Sequence, residues 1–398
     1  MTFSENIGKL EPSATMAVSA LAKRLAAEGR DIINLSAGEP DFDTPEFISE
    51  AAIAGIRGGI TRYTPAPGLP ELRKAIADRL ADRAGREISW EGVVVGTGAK
   101  QALFNAVFSL FGPGDDVLML APYWTTYPAL VQLARAEPVV ARGAESRDFK
   151  VTPADLDRAV TEETRGLILN SPSNPSGAVY SHQELTAVAE WARDRGVWLI
   201  SDEIYRRIYH GEGSAAPGLL ELDPESLGRT VLIDGLSKSH AMTGWRLGFA
   251  YAEKDVAVKL TALQSQVTSN PSTPTQMAAL EAYRNVDASE KAVAEMGRAF
   301  RRRRDLVVAR MRELFPSVRL IEPDGAFYVY FRVDGFFDDR VPDATTWCSE
   351  IIEQAGVALV PGAAFGDDRW VRMSYAASDE TLLEALDRIA EVVDTSAA

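Results

Sequence analysis

Between about residues 90 and 250 the chain alternates short apolar runs with amphipathic stretches, and this alternation narrows the available folds more than any other feature. "VVVG" (93–96), "DVLMLAP" (116–122), "GLILNSP" (166–172), "VWLISDE" (197–203), "TVLIDG" (230–235) and "LGFAYA" (247–252) have the length and character of buried strands. Between several of them lie helical patterns such as "SHQELTAVAEWARDRG" (181–196), whose last residue, Gly196, fits a helix C-terminus. Strand, helix, strand repetition predicts an α/β fold with a largely parallel sheet covered on both faces. From 250 to about 315 the pattern is helical. The run "RRRRD" (301–305) falls inside that stretch and reads as a solvated helix face. "GAFYVYF" (325–331), "VALVPG" (357–362) and "WVRMSY" (370–375) then predict a second set of strands, closed by a helix. The expected division is a large domain over 46–300 and a smaller α+β domain made of 1–45 with 301–398.

Charge and cysteine usage exclude several classes of function. A formal net charge of −15 opposes a nucleic-acid or anionic-membrane partner, because a phosphate surface needs a basic one. Cys348 is the sole cysteine, so neither an internal disulfide nor a thiolate metal cluster can form. His182, His210 and His240 are not spaced as a ligand pair, and no metal centre is expected. The opening "MTFSENIGKLEPSATM" lacks the apolar core of a signal peptide, and no segment reaches the length of a membrane span. A reduced, cytoplasmic protein is expected.

In open α/β sheets ligands bind beyond the carboxyl ends of the strands, so the residues there carry the functional reading. The first strand runs into "GTGAKQALFN", where Gly98, Ala99 and Lys100 open a helix. Such a start is either a tight turn or a phosphate cradle. It fails as a dinucleotide fingerprint, because Gln101 stands where a third glycine is needed. Trp124, in "APYWTTYP", is either a core residue or a flat face for a planar ring. Asn174, in "NSPSNPSG", is either turn chemistry or a donor to a ring substituent. Asp202, in "SDEIY", is either a helix cap or the partner of a ring nitrogen, with Tyr205 on the same side of a helical turn. The fifth strand leads to "SKSHAMTGWRLG", which sets Ser237, Lys238 and Arg246 close together. Taken jointly, these groups answer those of pyridoxal 5'-phosphate one for one. The amine meets the aldehyde, the carboxylate the pyridine nitrogen, and Ser237 and Arg246 the phosphate.

Eight stretches carry a resemblance that runs almost end to end: "AGEPDFDTP" (37–45), "RYTPAPGLPELR" (62–73), "GAKQALFN" (98–105), "PYWTTYP" (122–128), "NSPSNPSG" (170–177), "SDEIY" (201–205), "SKSHAMTGWRLG" (237–248) and "VRMSYA" (371–376). The chain resembles the class I, fold-type I pyridoxal-phosphate aminotransferases, and within them the bacterial and plant aspartate and aspartate/prephenate enzymes. The resemblance implies that Lys238 binds the cofactor covalently and carries the catalytic proton. Asp202 then pairs with the ring nitrogen, Asn174 and Tyr205 with the phenolic oxygen, and Trp124 stacks on the ring. Gly98, Ala99, Lys100, Ser237 and Arg246 hold the phosphate, joined by Tyr63 from a neighbouring subunit, which implies a homodimer. Arg372 takes the α-carboxylate of the amino acid, assisted by the backbone of Gly38.

Two departures from the family pattern bear on the site. Gly235 stands where some relatives carry a phosphate-binding serine. "QVTSNPSTPTQMA" (266–278) lacks the arginine that animal-type enzymes use for the distal carboxylate. The bacterial subgroup uses a lysine and a threonine for that group, and Lys100 and Thr15 match both. Lys100 is either a solvent-facing lysine of the first turn or a ligand for that carboxylate; a cation is disfavoured at a helix N-terminus, which favours the ligand.

The activity implied is transfer of the amino group of L-aspartate to 2-oxoglutarate by a ping-pong mechanism. The alternatives are an aspartate/prephenate (arogenate-forming) or broader aromatic aminotransferase, and a carbon–sulfur lyase on the same cofactor residues. Outside this group stand a cofactor-binding regulator, opposed by the acidic charge, and a dinucleotide-dependent dehydrogenase, opposed by Gln101.

Overall fold

The computed structural model describes residues 4–8 and 10–396. Its centre is a seven-stranded sheet in the order Val93–Gly96, Gly248–Ala252, Thr230–Gly235, Trp198–Asp202, Thr164–Asn170, Asp116–Ala121, Glu137–Arg142. Gly248–Ala252 runs antiparallel to both its neighbours, and the other six strands share one direction. Side chains alternate between faces, as the pleat requires. Ile168, Ile200, Ile233 and Ala250 pack with helices Ala99–Leu110 and Tyr127–Leu133. Leu167 and Leu199 pack instead with helix His182–Asp194, and Leu232 and Phe249 with helices Glu46–Arg57, Pro70–Ala84 and Thr273–Arg284. The sheet is therefore covered on both sides, as the alternation predicts.

Six of the seven strands lie in the predicted runs. Glu137–Arg142 does not, and its surroundings explain why. It is an edge strand, paired only with Asp116–Ala121 among the described residues, exposed at both ends with Ala141 alone buried, and interrupted by Pro138. Such a strand carries neither a continuous apolar run nor a clean alternation. The predicted helix at 181–196 forms over His182–Asp194, with Ser181 and Glu184 in a reciprocal capping box and Gly196 at φ 65°.

A second, antiparallel sheet orders Val360–Pro361, Trp370–Ser374, Tyr328–Arg332 and Leu320–Ile321. The single predicted run "VALVPG" is split. Val360–Pro361 joins this sheet, whereas Val357–Ala358 pairs in parallel with Ile33–Asn34. The N-terminal segment is thereby tied to the tail.

The arginine run corrects one expectation. Arg301 and Arg302 are exposed, but Arg303 is 8% exposed and holds Asp41 with two hydrogen bonds of 2.7 and 2.8 Å. Four successive residues span more than one helical turn, so one of them must face the side on which helix Val286–Leu314 packs. Among the described residues no helix is long and apolar enough to cross a membrane.

Candidate active site

The first strand of the large sheet ends at Gly96, and helix Ala99–Leu110 begins three residues later. Gly98 turns the chain between them at φ 84°. A Cβ there would stand 2.7 Å from Arg246 Nη2, and one at Gly248 would stand 2.3 Å from the Ala99 nitrogen. Glycine at both positions lets the helix start settle onto the strand ends beside a guanidinium. No side chain caps the helix, so its N-terminal partial charge and Arg246 face the same space. Gln101, which breaks the dinucleotide pattern, accepts a 2.5 Å hydrogen bond from the Thr97 N–H and so fixes this turn. Gly235 has no room for a side chain, since its Cβ would approach Gly248 Cα to 2.9 Å.

A cavity of about 330 Å³ opens beyond these strand ends. Ala99, Lys100, Trp124, Ser237 and Arg246 line it from the phosphate-cradle side, and Gly98 sits directly behind Arg246. Asn174, Asp202, Tyr205 and Lys238 line it from the other strand ends. Gly38 and Arg372 close it from the second sheet and the N-terminal segment, and Thr15 stands at its mouth. Tyr63 is not brought to the cavity of its own chain; it is 91% exposed.

Asp202 is the last residue of its strand and is buried. The chain continues as a turn rather than a helix, so Asp202 is not a helix cap. Its Oδ2 accepts from the Tyr127 hydroxyl at 2.7 Å and its Oδ1 from the Ile204 N–H at 3.3 Å. Burial pushes its pKa up to about 6, against the lowering effect of those two donors. A carboxylate placed this way favours a cationic partner in the cavity.

Lys238 donates to the Gly38 carbonyl at 2.5 Å, with the Tyr205 and Phe327 ring centres 5.8 and 6.0 Å from its Nζ. Burial lowers its pKa to about 8; Glu39 opposes that shift, and Arg246 and Arg372 reinforce it. Tyr205 shares a 2.9 Å hydrogen bond with Tyr328, whose hydroxyl leaves 2.9 Å for a Cβ on Gly38. That approach accounts for the glycine of "AGEP".

Arg372 is 2% exposed. Its Nη1 donates to Asn174 Oδ1 at 2.9 Å, its Nη2 to the Ser36 carbonyl at 2.7 Å, and it lies 4.4 Å over the Tyr328 ring. Among the described residues no carboxylate pairs with it, and its Nε has no hydrogen-bond partner. A buried cation held only by neutral groups is built to meet an anion.

The mouth is more open. Lys100 is exposed, with Nζ 4.9 Å from the Trp124 ring, and partial desolvation followed by Arg246 lowers its pKa. Trp124 itself meets the Tyr127 ring edge-on, 5.5 Å between centres. The Thr15 hydroxyl shares a 2.9 Å hydrogen bond with that of Ser13. The reading of the residues passed over Tyr127, Tyr328 and Ser13. Each lies inside or beside a stretch singled out above, but contacts between distant segments give them their place. Among the described residues no group of three His, Cys, Asp or Glu could hold a metal ion.

The family model for aminotransferase class I and II matches residues 30–389. The chain is 40% identical to an aspartate aminotransferase of Geobacillus stearothermophilus, with all of both chains covered. It is 42% identical to an aspartate/prephenate aminotransferase of Cereibacter sphaeroides over 97% of each. Among solved structures it is similar to an aspartate aminotransferase from Thermus thermophilus with maleate. The TM-score is 0.92 at 40% identity, over 98% of this chain and 100% of that one.

Proposed function

Because this chain belongs to the class I and II aminotransferases, we propose that it moves the amino group of L-aspartate to 2-oxoglutarate, with pyridoxal 5'-phosphate in the cavity described above. The observation that carries the reading is Arg372: a buried guanidinium that has no carboxylate partner among the described residues and lines the same cavity as the Lys238 amine. The residues fit the cofactor. The uncapped helix start, Gly98 and Arg246 suit a phosphate, and the buried Asp202 suits a ring nitrogen that carries a proton.

When bound, pyridoxal phosphate supplies an aldehyde that takes up an amine and a ring that draws electrons from the adjoining carbon. The chain's own groups do the rest. Ala99, Lys100 and their helix start, with Ser237 and Arg246, hold the phosphate. Trp124 would offer a ring face, Asp202 would hold a proton on the ring nitrogen, and Tyr205 and Asn174 would donate to the phenolic oxygen. Lys238 would hold the cofactor through its aldehyde. Its amine, which burial holds below the usual lysine range, would carry the proton at the α-carbon. Arg372 holds the α-carboxylate beside Gly38, and Lys100 with Thr15 receives the distal one. Donor and acceptor use one cavity in turn, which gives ping-pong kinetics.

The exposed Tyr63 supports a homodimer in which it reaches the neighbouring subunit's phosphate site, and exposed Ile56, Ile60 and Phe108 offer apolar surface for such an interface. We assign the enzyme to the cytoplasm, with a large domain over 46–300 and a small one of 1–45 with 301–398. A broader range that includes prephenate or aromatic substrates is the second reading. Met16 and Leu103 favour it, because they line the cavity alongside Thr15 and Lys100 and present apolar surface to a ring.

A half-reaction screen tests both readings. Purified holoenzyme is mixed with aspartate, glutamate, arogenate, phenylalanine or alanine, and conversion of the bound cofactor to its aminated form is followed by absorbance. Aspartate and glutamate should convert it. Release of pyruvate and ammonia in place of stoichiometric conversion would assign a lyase.

A further inference from the structure

Tyr127 belongs to none of the roles given so far, yet its position is unusual for a core tyrosine. It opens helix Tyr127–Leu133 and is 2% exposed. Among the described residues its hydroxyl has a single hydrogen-bond partner, Asp202 Oδ2. Its ring stands edge-on to Trp124, at 88° between planes, and its N–H donates to the Trp124 carbonyl at 3.0 Å. One side chain therefore touches both the residue offered to the face of a planar ring and the carboxylate offered to that ring's nitrogen.

We infer that Tyr127 is a positioning residue that holds Asp202 in one orientation and keeps its negative charge directed at the ring nitrogen. The inference rests on the proposed cofactor reading and adds a residue to it. Among the described residues Asp202 has two side-chain acceptor contacts, and the one with the Ile204 N–H, at 3.3 Å, is the longer. The other charges near it differ in kind. Glu203, the next residue, is neutralised by Arg83 at 2.5 Å, and Lys238 leans on the Gly38 carbonyl. The Tyr205 hydroxyl meets that of Tyr328 and makes no hydrogen bond to Asp202. The phenol is thus the only side chain among the described residues that donates to this carboxylate.

Without that donor the carboxylate becomes a better base. A proton shared between it and a ring nitrogen then moves towards the carboxylate, and the ring loses the positive charge that makes it an electron sink. Tyr127 lines the cavity, but its hydroxyl is directed at Asp202, so the donor acts through the carboxylate on the electronics of the reaction. Its loss should therefore appear in kcat and in the cofactor's spectrum, and not in KM.

The test compares holoenzymes of the wild type, Tyr127→Phe, Asp202→Asn, the double variant and Tyr180→Phe. Tyr180 is a buried tyrosine whose hydroxyl accepts from the Val151 N–H outside the main cavity, so it controls for loss of any buried hydroxyl. Tyr127→Phe should lower kcat for aspartate on the order of tenfold, the factor of one charge-assisted hydrogen bond. Its KM should stay within about twofold of the wild type, and the absorbance maximum of the bound cofactor should move. Tyr180→Phe should change none of these. In the double variant the loss should equal that of Asp202→Asn alone, because the tyrosine acts through the carboxylate.

Additive losses, or an unmoved spectrum in Tyr127→Phe, would overturn the inference while leaving the cofactor reading intact. Absence of any cofactor absorbance in the wild type would instead remove the reading beneath it. Should Tyr127→Phe fail to fold, 3-fluorotyrosine at position 127 serves as a stronger donor of nearly the same shape. It should move the spectrum in the opposite sense to a weakened donor, and an unchanged spectrum would again overturn the inference.

Discussion

The floor of the cavity and its mouth are built in different ways. On the floor, Asp202, Lys238 and Arg372 are each clasped by neutral groups of the chain: a phenol, a backbone carbonyl, an amide and another carbonyl. Those clasps join segments far apart in sequence, as when Arg372 bonds to Ser36. At the mouth, Lys100 and Met16 are exposed, and Thr15 is held by Ser13, two residues away. A group locked by distant segments keeps its geometry whatever ligand arrives, whereas a loosely held one adapts to it. The floor therefore suits the steps common to every amino acid, and the mouth suits the part that differs between them.

The largest expected effect tests the floor. Lys238→Ala should reduce transamination on the order of ten-thousandfold or more, since both covalent attachment and proton transfer are lost. The protein should remain folded and still bind cofactor weakly, which absorbance after dialysis would report. Turnover near that of the wild type would place the chemistry elsewhere and dissolve the comparison.

Asp202→Asn should come next. The amide keeps the shape but cannot hold a proton on the ring nitrogen, and losing a charge-assisted hydrogen bond costs about 1.5–3 kcal/mol. The loss in kcat should reach or exceed about a hundredfold. If steady-state rates were unchanged, Asp202 would be a residue that merely stabilises its turn through Ile204.

Much of this contrast was legible in the sequence, and the parts that were not share a cause. The floor residues stand at the ends of strands whose apolar runs are plain, so locating the strands located Asn174, Asp202 and the loop carrying Lys238. Glu137–Arg142 was missed because an edge strand with a proline carries no such run. Tyr127 and Tyr328 were missed for a different reason. Their functional contacts, to Asp202 and Tyr205, span 75 and 123 residues, and nothing in local spacing encodes them. Arg303 was read as solvated because a charge run hides which of its members faces inward; Asp41, 262 residues away, supplies the answer. Tyr63 shows the converse: a local motif marks it, but a single chain leaves it exposed and away from the cavity, so the role proposed for it requires a second copy.

Arg372→Lys sharpens the division of labour. The ammonium cannot reproduce the planar fork, and it forfeits the geometry that lets one guanidinium bond both Asn174 and Ser36. Aspartate, phenylalanine and alanine should all lose kcat/KM by about tenfold to a hundredfold, in near-equal measure, because all carry the α-carboxylate. A defect confined to dicarboxylic substrates would mean that Arg372 serves the distal group and that floor and mouth had been exchanged.

The smallest effect tests the mouth. Lys100→Ala removes a cation that lies 4.9 Å from the Trp124 ring and bonds to no carboxylate of its own chain among the described residues. Its place in the first turn of a helix is unfavourable for a positive charge, a cost that an incoming carboxylate would offset. Truncating one partner of a desolvated charge pair costs about 2–5 kcal/mol, and solvent screening at this exposed position brings the cost below that range, to about 1.4 kcal/mol. Aspartate kcat/KM should therefore fall by about tenfold, while alanine and phenylalanine hold their values. Cofactor retention should also survive, since the position-100 backbone N–H stays in the phosphate turn. Steady-state kinetics on one dicarboxylic and one neutral amino acid decide the matter. Equal losses on both would make Lys100 part of the phosphate site, and selection for a second carboxylate would then have to rest on Thr15 or on the neighbouring subunit.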